Sequence, residues 1–190
     1  NIGSILSSRQ IYWFYDENIN KLSFFYFKIN LIYSALFFIS SILSIICSIC
    51  SLSNPLHKLS RAVIPQMVER QAGKIIVYGS ASALKGMRTL AAYSAARAAQ
   101  VGYVQSLGVE LAPHNIQVNL IAQNYVENPI YYPESLRSQE KFQNSLKRQV
   151  PLGRLARAEE DAQFALFLAS NESDFFVGQA IPFSGGWVQR

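Results

Sequence analysis

Charge is scarce in the first third of this 190-residue chain. Residues 1–57 hold only Arg9, Asp16, Glu17, Lys21 and Lys28, which leaves 24 of the 29 charged side chains in residues 58–190. Cysteine is scarcer still: Cys47 and Cys50 are too few for a disulfide scaffold or a four-cysteine zinc site. Before Gly73 the only glycine is Gly3, so no glycine-rich loop that cradles a dinucleotide phosphate can be read. Ten glycines and seven prolines exclude collagen-like or low-complexity material, and a hydrophobic content of 50% excludes a disordered chain. The net charge of +5 comes from scattered basic residues, which argues against a nucleic-acid partner. The length suits one ordinary domain. The chain starts on Asn1 and not on Met, and the expectation is a fragment lacking its true start.

What the first third does have is a long apolar run. Between Lys28 and Lys58 there is no charged residue, and Leu31 to Leu52 reads LIYSALFFISSILSIICSICSL. As a helix it would cover roughly 33 Å, enough to span a hydrocarbon core. Its serines can bond back to helix carbonyls, and Tyr12, Trp13, Tyr15 and Tyr33 would suit an interfacial belt. Two expectations stay open here: a membrane-spanning helix over 31–52, or a gene-model artefact unrelated to residues 58–190. Cys47 and Cys50 form a C-x-x-C in this run, but without a cationic neighbour they read as small buried hydrophobes and not as a redox pair.

After Asn54-Pro55 the pattern changes to alternating helices and strands. The segment His57 to Gly73 reads as a helix that Pro65 should bend or shorten. Lys74 to Ser80 (KIIVYGS) reads as a strand buried on both faces. Thr89 to Ala112 reads as a long Ala-rich helix, Ile116 to Ala122 as a second buried strand, and Glu134 to Gln149 and Glu159 to Ser170 as helices. Gln179 to Gly186 supplies a third strand. Such alternation predicts an α/β fold, a partial doubly wound, Rossmann-like parallel sheet preceded by a hydrophobic helical N-terminal segment. Only three strands are visible, so residues 58–190 read as the back part of a larger domain.

Three residues carry the chemistry. Ser80 ends a strand, and the carboxyl ends of strands face the ligand crevice of open α/β sheets. Tyr93 and Arg97 stand four apart on one helix, hence on one face. A guanidinium there stabilises the phenolate and never loses its own proton. With a serine hydroxyl to hold a substrate oxygen, the set can move a proton to or from a hydroxyl group. His57 and His114 are isolated and suggest no metal site. Glu159, Glu160 and Asp161 open a helix, where carboxylates suit the dipole. Arg148, Arg154 and Arg157 read as a solvated face, and Trp187 as packing.

From Lys58 to Gly186 the chain resembles the C-terminal half of a short-chain dehydrogenase/reductase. The resemblance rests on the ordered blocks RAVIPQMVERQAGKIIVYGSAS, YSAARAA, VELAPHNIQVNLIAQNYV and PLGRLARAEEDAQFALFLASNESDFFVGQAIPFSGGW. The family serine matches Ser80 and its tyrosine Tyr93. The reductases carry Lys where this chain has Arg97; a Ser–Tyr–Arg set is instead the mark of the halohydrin dehalogenases, relatives that bind no nucleotide. QNYVENPIYYP (Gln123 to Pro133) is similar to their halide loop, although Gln123 stands where they usually have Pro. The resemblance thus implies catalytic roles for Ser80, Tyr93 and Arg97. It implies substrate or halide contacts from Ser82, Asn124, Tyr125, Val126, Tyr131 and Tyr132, with backbone amides near Asn124 to Val126 forming the halide cradle. It implies epoxide formation from vicinal haloalcohols without a cofactor. The alternatives are an NAD(P)-dependent oxidoreductase with Arg in place of Lys, and a catalytically incomplete, membrane-associated fragment. It further implies a small-molecule substrate, a cytoplasmic enzyme domain, no metal and a homo-oligomer if the full domain exists. The family's first half is not visible, so the front wall of the site is expected to be missing.

Overall fold

In a computed structural model of the chain, residues 2–7, 10–14, 46 and 50–189 are described, and they fall into two units that divide after Leu43. In the first unit, strands β1 (Ile2–Ser7) and β2 (Gln10–Phe14) pair antiparallel, with Ile5 opposite Tyr12 and Leu6 opposite Ile11. Two of the aromatic residues expected at an interface, Tyr12 and Trp13, therefore belong to a strand. The apolar run 31–52 lies outside the described residues apart from 46 and 50–52, as does Cys47; Cys50 is exposed. Among the described residues no helix is long and apolar enough to cross a membrane.

The second unit is an α/β sandwich around a three-stranded parallel sheet, in agreement with the class read from the sequence. Helix α1 covers residues 50–69 and runs unbroken through Pro65, contrary to the expected shortening. The lost hydrogen bond is offset by tertiary packing: Leu56, Ile64, Met67 and Val68 lie against the main core. Ser60 is buried and adds a polar clamp, its hydroxyl donating to the Leu56 carbonyl at 2.7 Å and lying 2.6 Å from the Tyr103 hydroxyl.

Strand β3 (Gly73–Ser80) pairs with β4 (Ile116–Gln123), and β4 with β5 (Ala180–Phe183), all parallel. β4 is the central strand, and every residue from Ile116 to Ala122 is buried. β3, expected to be buried on both faces, is only half-buried, and Tyr78 is 46% exposed. The physical reason is its edge position: among the described residues β4 is its sole partner. Between β3 and β4 lies helix α2 (Ala91–Leu111), which starts two residues later than expected because Thr89 takes a left-handed φ of 69° that no helix accommodates. Its Val104, Leu107 and Leu111 meet Val77, Ile116, Val118 and Leu120 in one core cluster. α2 comes very close to the turn before β5: a Cβ added at Gly108 would sit 2.7 Å from the Gly178 Cα. Asn119 fixes that turn from inside the sheet, donating to the Phe176 carbonyl at 2.7 Å and accepting from the Gln179 amide at 3.0 Å.

The helix expected over 134–149 is two helices, α3 (Glu134–Arg137) and α4 (Glu140–Gln149), because Gln139 is extended between them. Helix α5 (Ala158–Ala169) opens with a capping box: Glu160 accepts the Arg157 backbone N–H at 2.8 Å while Arg154 grips both its carboxylate oxygens at 2.7 and 2.8 Å. The bonds from Arg154, then that from Arg157, hold the Glu160 carboxyl down at about 2. A carboxyl depressed in the fold contributes stability above its unfolded pKa and loses it as pH falls through the folded value. Acid unfolding followed by circular dichroism should therefore show a loss between about pH 4.5 and 2 that Glu160→Gln removes.

Candidate functional site

The carboxyl ends of β3 and β4 are level, with Ser80 in register with Gln123. There they open into a cleft of about 510 Å³, lined by residues of β3, α2, the loop after β4 and the start of α5. Ser80, Tyr93, Arg97, Asn124, Tyr125, Val126, Tyr131 and Tyr132 all line it. Eight of the nine side chains named from the sequence thus share one cavity, although they come from three separate segments.

Ser80 caps the short 3-10 turn that follows its strand, its Oγ accepting the Ser82 backbone N–H at 3.2 Å and lying 2.8 Å from Ser82 Oγ. Ser82 is buried and does not line the cleft. The resemblance gives it a substrate contact; its position shows instead a hydroxyl that fixes Ser80 from behind. Tyr93 and Arg97 project from the first two turns of α2. The guanidinium carbon lies 5.1 Å from the Tyr93 ring centroid, over the aromatic face. One Nη of Arg97 donates to Gln100 Oε1 at 3.0 Å, and the buried Gln100 in turn donates to the Leu52 carbonyl at 2.9 Å. This chain of bonds holds the arginine at the base of the tyrosine. Arg97 Nε is buried without a partner among the described residues.

The loop after β4 makes a sharp turn at Tyr125, whose φ is 57°. A left-handed tyrosine is strained, and several bonds hold it there. Asn124 Oδ1 accepts the Tyr125 N–H at 2.9 Å, Ala156 N–H donates to the Tyr125 carbonyl at 2.8 Å, and the phenol donates to Gln149 Oε1 at 2.7 Å. Tyr125 stacks on Tyr132 at 6.5 Å and meets Trp187 edge-on at 6.1 Å, so Trp187 packs behind the loop. Burial pushes the phenols of Tyr125 and Tyr132 up, which keeps both protonated. Tyr131 stands at the rim, 74% exposed. The amide cradle expected over 124–126 is mostly committed elsewhere: Asn124 N–H goes to the Phe183 carbonyl at 3.0 Å and Tyr125 N–H to Asn124 itself. Among the described residues only the Val126 N–H of these three lacks an acceptor.

Of the cleft residues that sequence reasoning did not assign to the site, Asp161 and Gln123 form a bonded pair. Asp161, assigned to the helix dipole, is only 8% exposed and lines the cleft, with Gln123 Nε2 donating to its Oδ2 at 2.6 Å. The signal lies in the helical periodicity, since Asp161, Phe164 and Leu168 fall on one face of α5 and Leu168 is buried. Gln123 reads from the sequence only as a departure from the usual proline. Among the described residues no group of three or more His, Cys, Asp or Glu could hold a metal ion.

Comparison with known proteins agrees with this architecture. The model of the family described as Enoyl-(Acyl carrier protein) reductase matches residues 50–188. The 3-oxoacyl-[acyl-carrier-protein] reductase FabG of Thermotoga maritima is 34% identical over 130 residues, covering 68% of this chain and 51% of that protein. The corresponding Escherichia coli K12 protein gives 34% over 129 residues, again 68% and 51%. The chain spans about half the length of the curated relatives it matches. Among solved structures, one titled a dehalogenation enzyme superposes with a TM-score of 0.72 at 35% identity, covering 76% of this chain and 59% of that one. A halohydrin dehalogenase bound to ethyl (2S)-oxiran-2-ylacetate gives 0.65 at 34%, covering 70% and 55%.

Proposed function

Because the chain belongs to the short-chain dehydrogenase/reductase family, we propose that its cleft serves the dehalogenase branch and closes vicinal haloalcohols to epoxides. The single observation that carries this reading is Arg97, one turn from Tyr93 and bonded to Gln100, where the reductases have lysine. The cleft that gathers Ser80, Tyr93 and the tyrosine-lined loop supports it.

In this reading Ser80, held by Ser82, donates to the substrate oxygen. Tyr93 removes the hydroxyl proton, with the fixed charge of Arg97 lying over its ring. The alkoxide attacks the neighbouring carbon, an O–C bond forms, and the carbon–halogen bond breaks with its electron pair leaving on halide. The Val126 N–H, in the loop that lines the cleft, is a donor left for that anion. The atoms balance as haloalcohol giving epoxide, halide and one proton.

A second reading, an NAD(P)-dependent reductase, is favoured by the curated relatives, which are reductases by name. Incubating the full chain with a vicinal chloro-alcohol should release chloride with no added cofactor. Nicotinamide oxidation with a ketone, and no chloride, would favour the second reading; neither signal would leave a non-catalytic chain.

A further inference from the structure

Four acidic residues of the second unit are paired with cations. Glu127 and Glu134 pair with Arg137, Glu160 with Arg154 and Arg157, and Asp174 with Lys74. Asp161 is the most buried acid of the described residues and has none. Its Oδ2 takes the Gln123 amide, and its Oδ1 is buried with no partner at all. Burial pushes its carboxyl up, against the opposing Gln123 bond. A buried carboxylate left with one neutral donor is an uncompensated charge that a bound cation would compensate.

The surroundings say where that cation would come from. Tyr78 of β3 lies on one side of Asp161 and is itself pushed up by burial and by the carboxylate. Gln123 of β4 lies on the other, facing the cleft. With its amide nitrogen committed to Asp161, its carbonyl oxygen accepts no hydrogen bond among the described residues, and the carboxylate behind polarises it further. The phenols of Tyr125 and Tyr132 line the same cleft, and aromatic walls favour an organic cation over water. Arg97 comes from α2, which packs on the Val77 face of β3, whereas Asp161 comes from α5 beside Tyr78 on the opposite face. The cleft therefore has a cationic end and an anionic end.

We infer that the cleft selects substrates carrying an alkylammonium or quaternary ammonium group, seated between the Gln123 carbonyl backed by Asp161 and the tyrosine wall. This rests on the proposed function and specifies its substrate class: a haloalcohol with a positively charged nitrogen on the far side of the hydroxyl. The nitrogen passes through the reaction unchanged. The same carboxylate repels a departing halide, which directs the anion toward Arg97.

The test separates binding from turnover. Nitrogen-15 spectra of the full chain are titrated with choline and with its neutral tert-butyl isostere, two alcohols of equal shape that differ in charge. Choline should bind at least about tenfold more tightly, with shifts centred on the Gln123 side-chain amide. In Asp161→Asn, which keeps the shape and the Gln123 contact, the ratio should fall to within about twofold. Equal binding by the wild type, binding of neither probe, or a preference that survives Asp161→Asn would each overturn the inference. The wild-type comparison decides even if the variant fails to fold. If choline is preferred but (chloro-hydroxypropyl)trimethylammonium releases no chloride, the ammonium site stands and the dehalogenase reading fails.

Discussion

Tyr93→Phe is expected to lower chloride release by about a thousandfold while leaving the fold and ligand affinity nearly intact. The magnitude follows from general-base catalysis, which contributes about 10²–10⁴ in rate. The selectivity follows from the structure: Tyr93 is 36% exposed, and its hydroxyl makes no hydrogen bond among the described residues. Removing that oxygen therefore leaves no buried polar group without a partner, and the ring stays under the Arg97 guanidinium. The measurement is initial chloride release with the melting curve recorded in parallel. Unchanged release with an unchanged melt would remove Tyr93 from the chemistry; lost release with a collapsed melt would show that its role is structural.

The largest effect on stability should come from beneath the site. Leu120 is fully buried at the centre of the sheet, and its side chain fills the space over Gly79: a Cβ added there would lie 2.6 Å from Leu120 Cδ2. Gly79 immediately precedes Ser80, so the packing of Leu120 also sets where the serine sits. Leu120→Ala removes buried carbon atoms and leaves a cavity in a strand flanked on both edges, a change that costs about 3 kcal/mol. For a chain of this size that lowers the thermal midpoint by roughly 6–12 °C. Gly79→Ala alone overpacks the same space and costs about 1–3 kcal/mol. Combined, the added methyl occupies part of the vacated volume, so the double variant should be more stable than the sum of the singles by about 1 kcal/mol. Denaturant titrations of the four proteins close that cycle; strict additivity would show that Leu120 and Gly79 do not share a cavity.

Much of the fold was legible because its signals are local. Ile116 to Ala122 is an unbroken β-branched and apolar run, and it is the buried central strand. The spacing of Tyr93 and Arg97 is itself a statement of helical geometry, so their common face needed only the helix to form. The departures arose where local preference meets a distant contact. Pro65 should break a helix, but the core packing of Ile64 and Met67 on either side carries α1 through it. KIIVYGS has the composition of a buried strand, and only its place at the sheet edge leaves Tyr78 in solvent. The backbone amides of Asn124 and Tyr125 were plausible anion donors until the fold gave them acceptors of their own.

Asp161 shows the boundary most clearly. From the sequence it is one of three acids at a helix start, and the helix dipole accounts for it. Its meeting with Gln123, 38 residues away, depends on how α5 lies across β3 and β4. The chain alone determined the parallel α/β pattern and the common helix face of Tyr93 and Arg97, because periodicity and spacing are properties of neighbouring residues, while the family came from the resemblance of its ordered blocks. The tertiary structure alone decided that these three share a cleft with a buried carboxylate, since burial and desolvation are set by whichever segments the fold brings together.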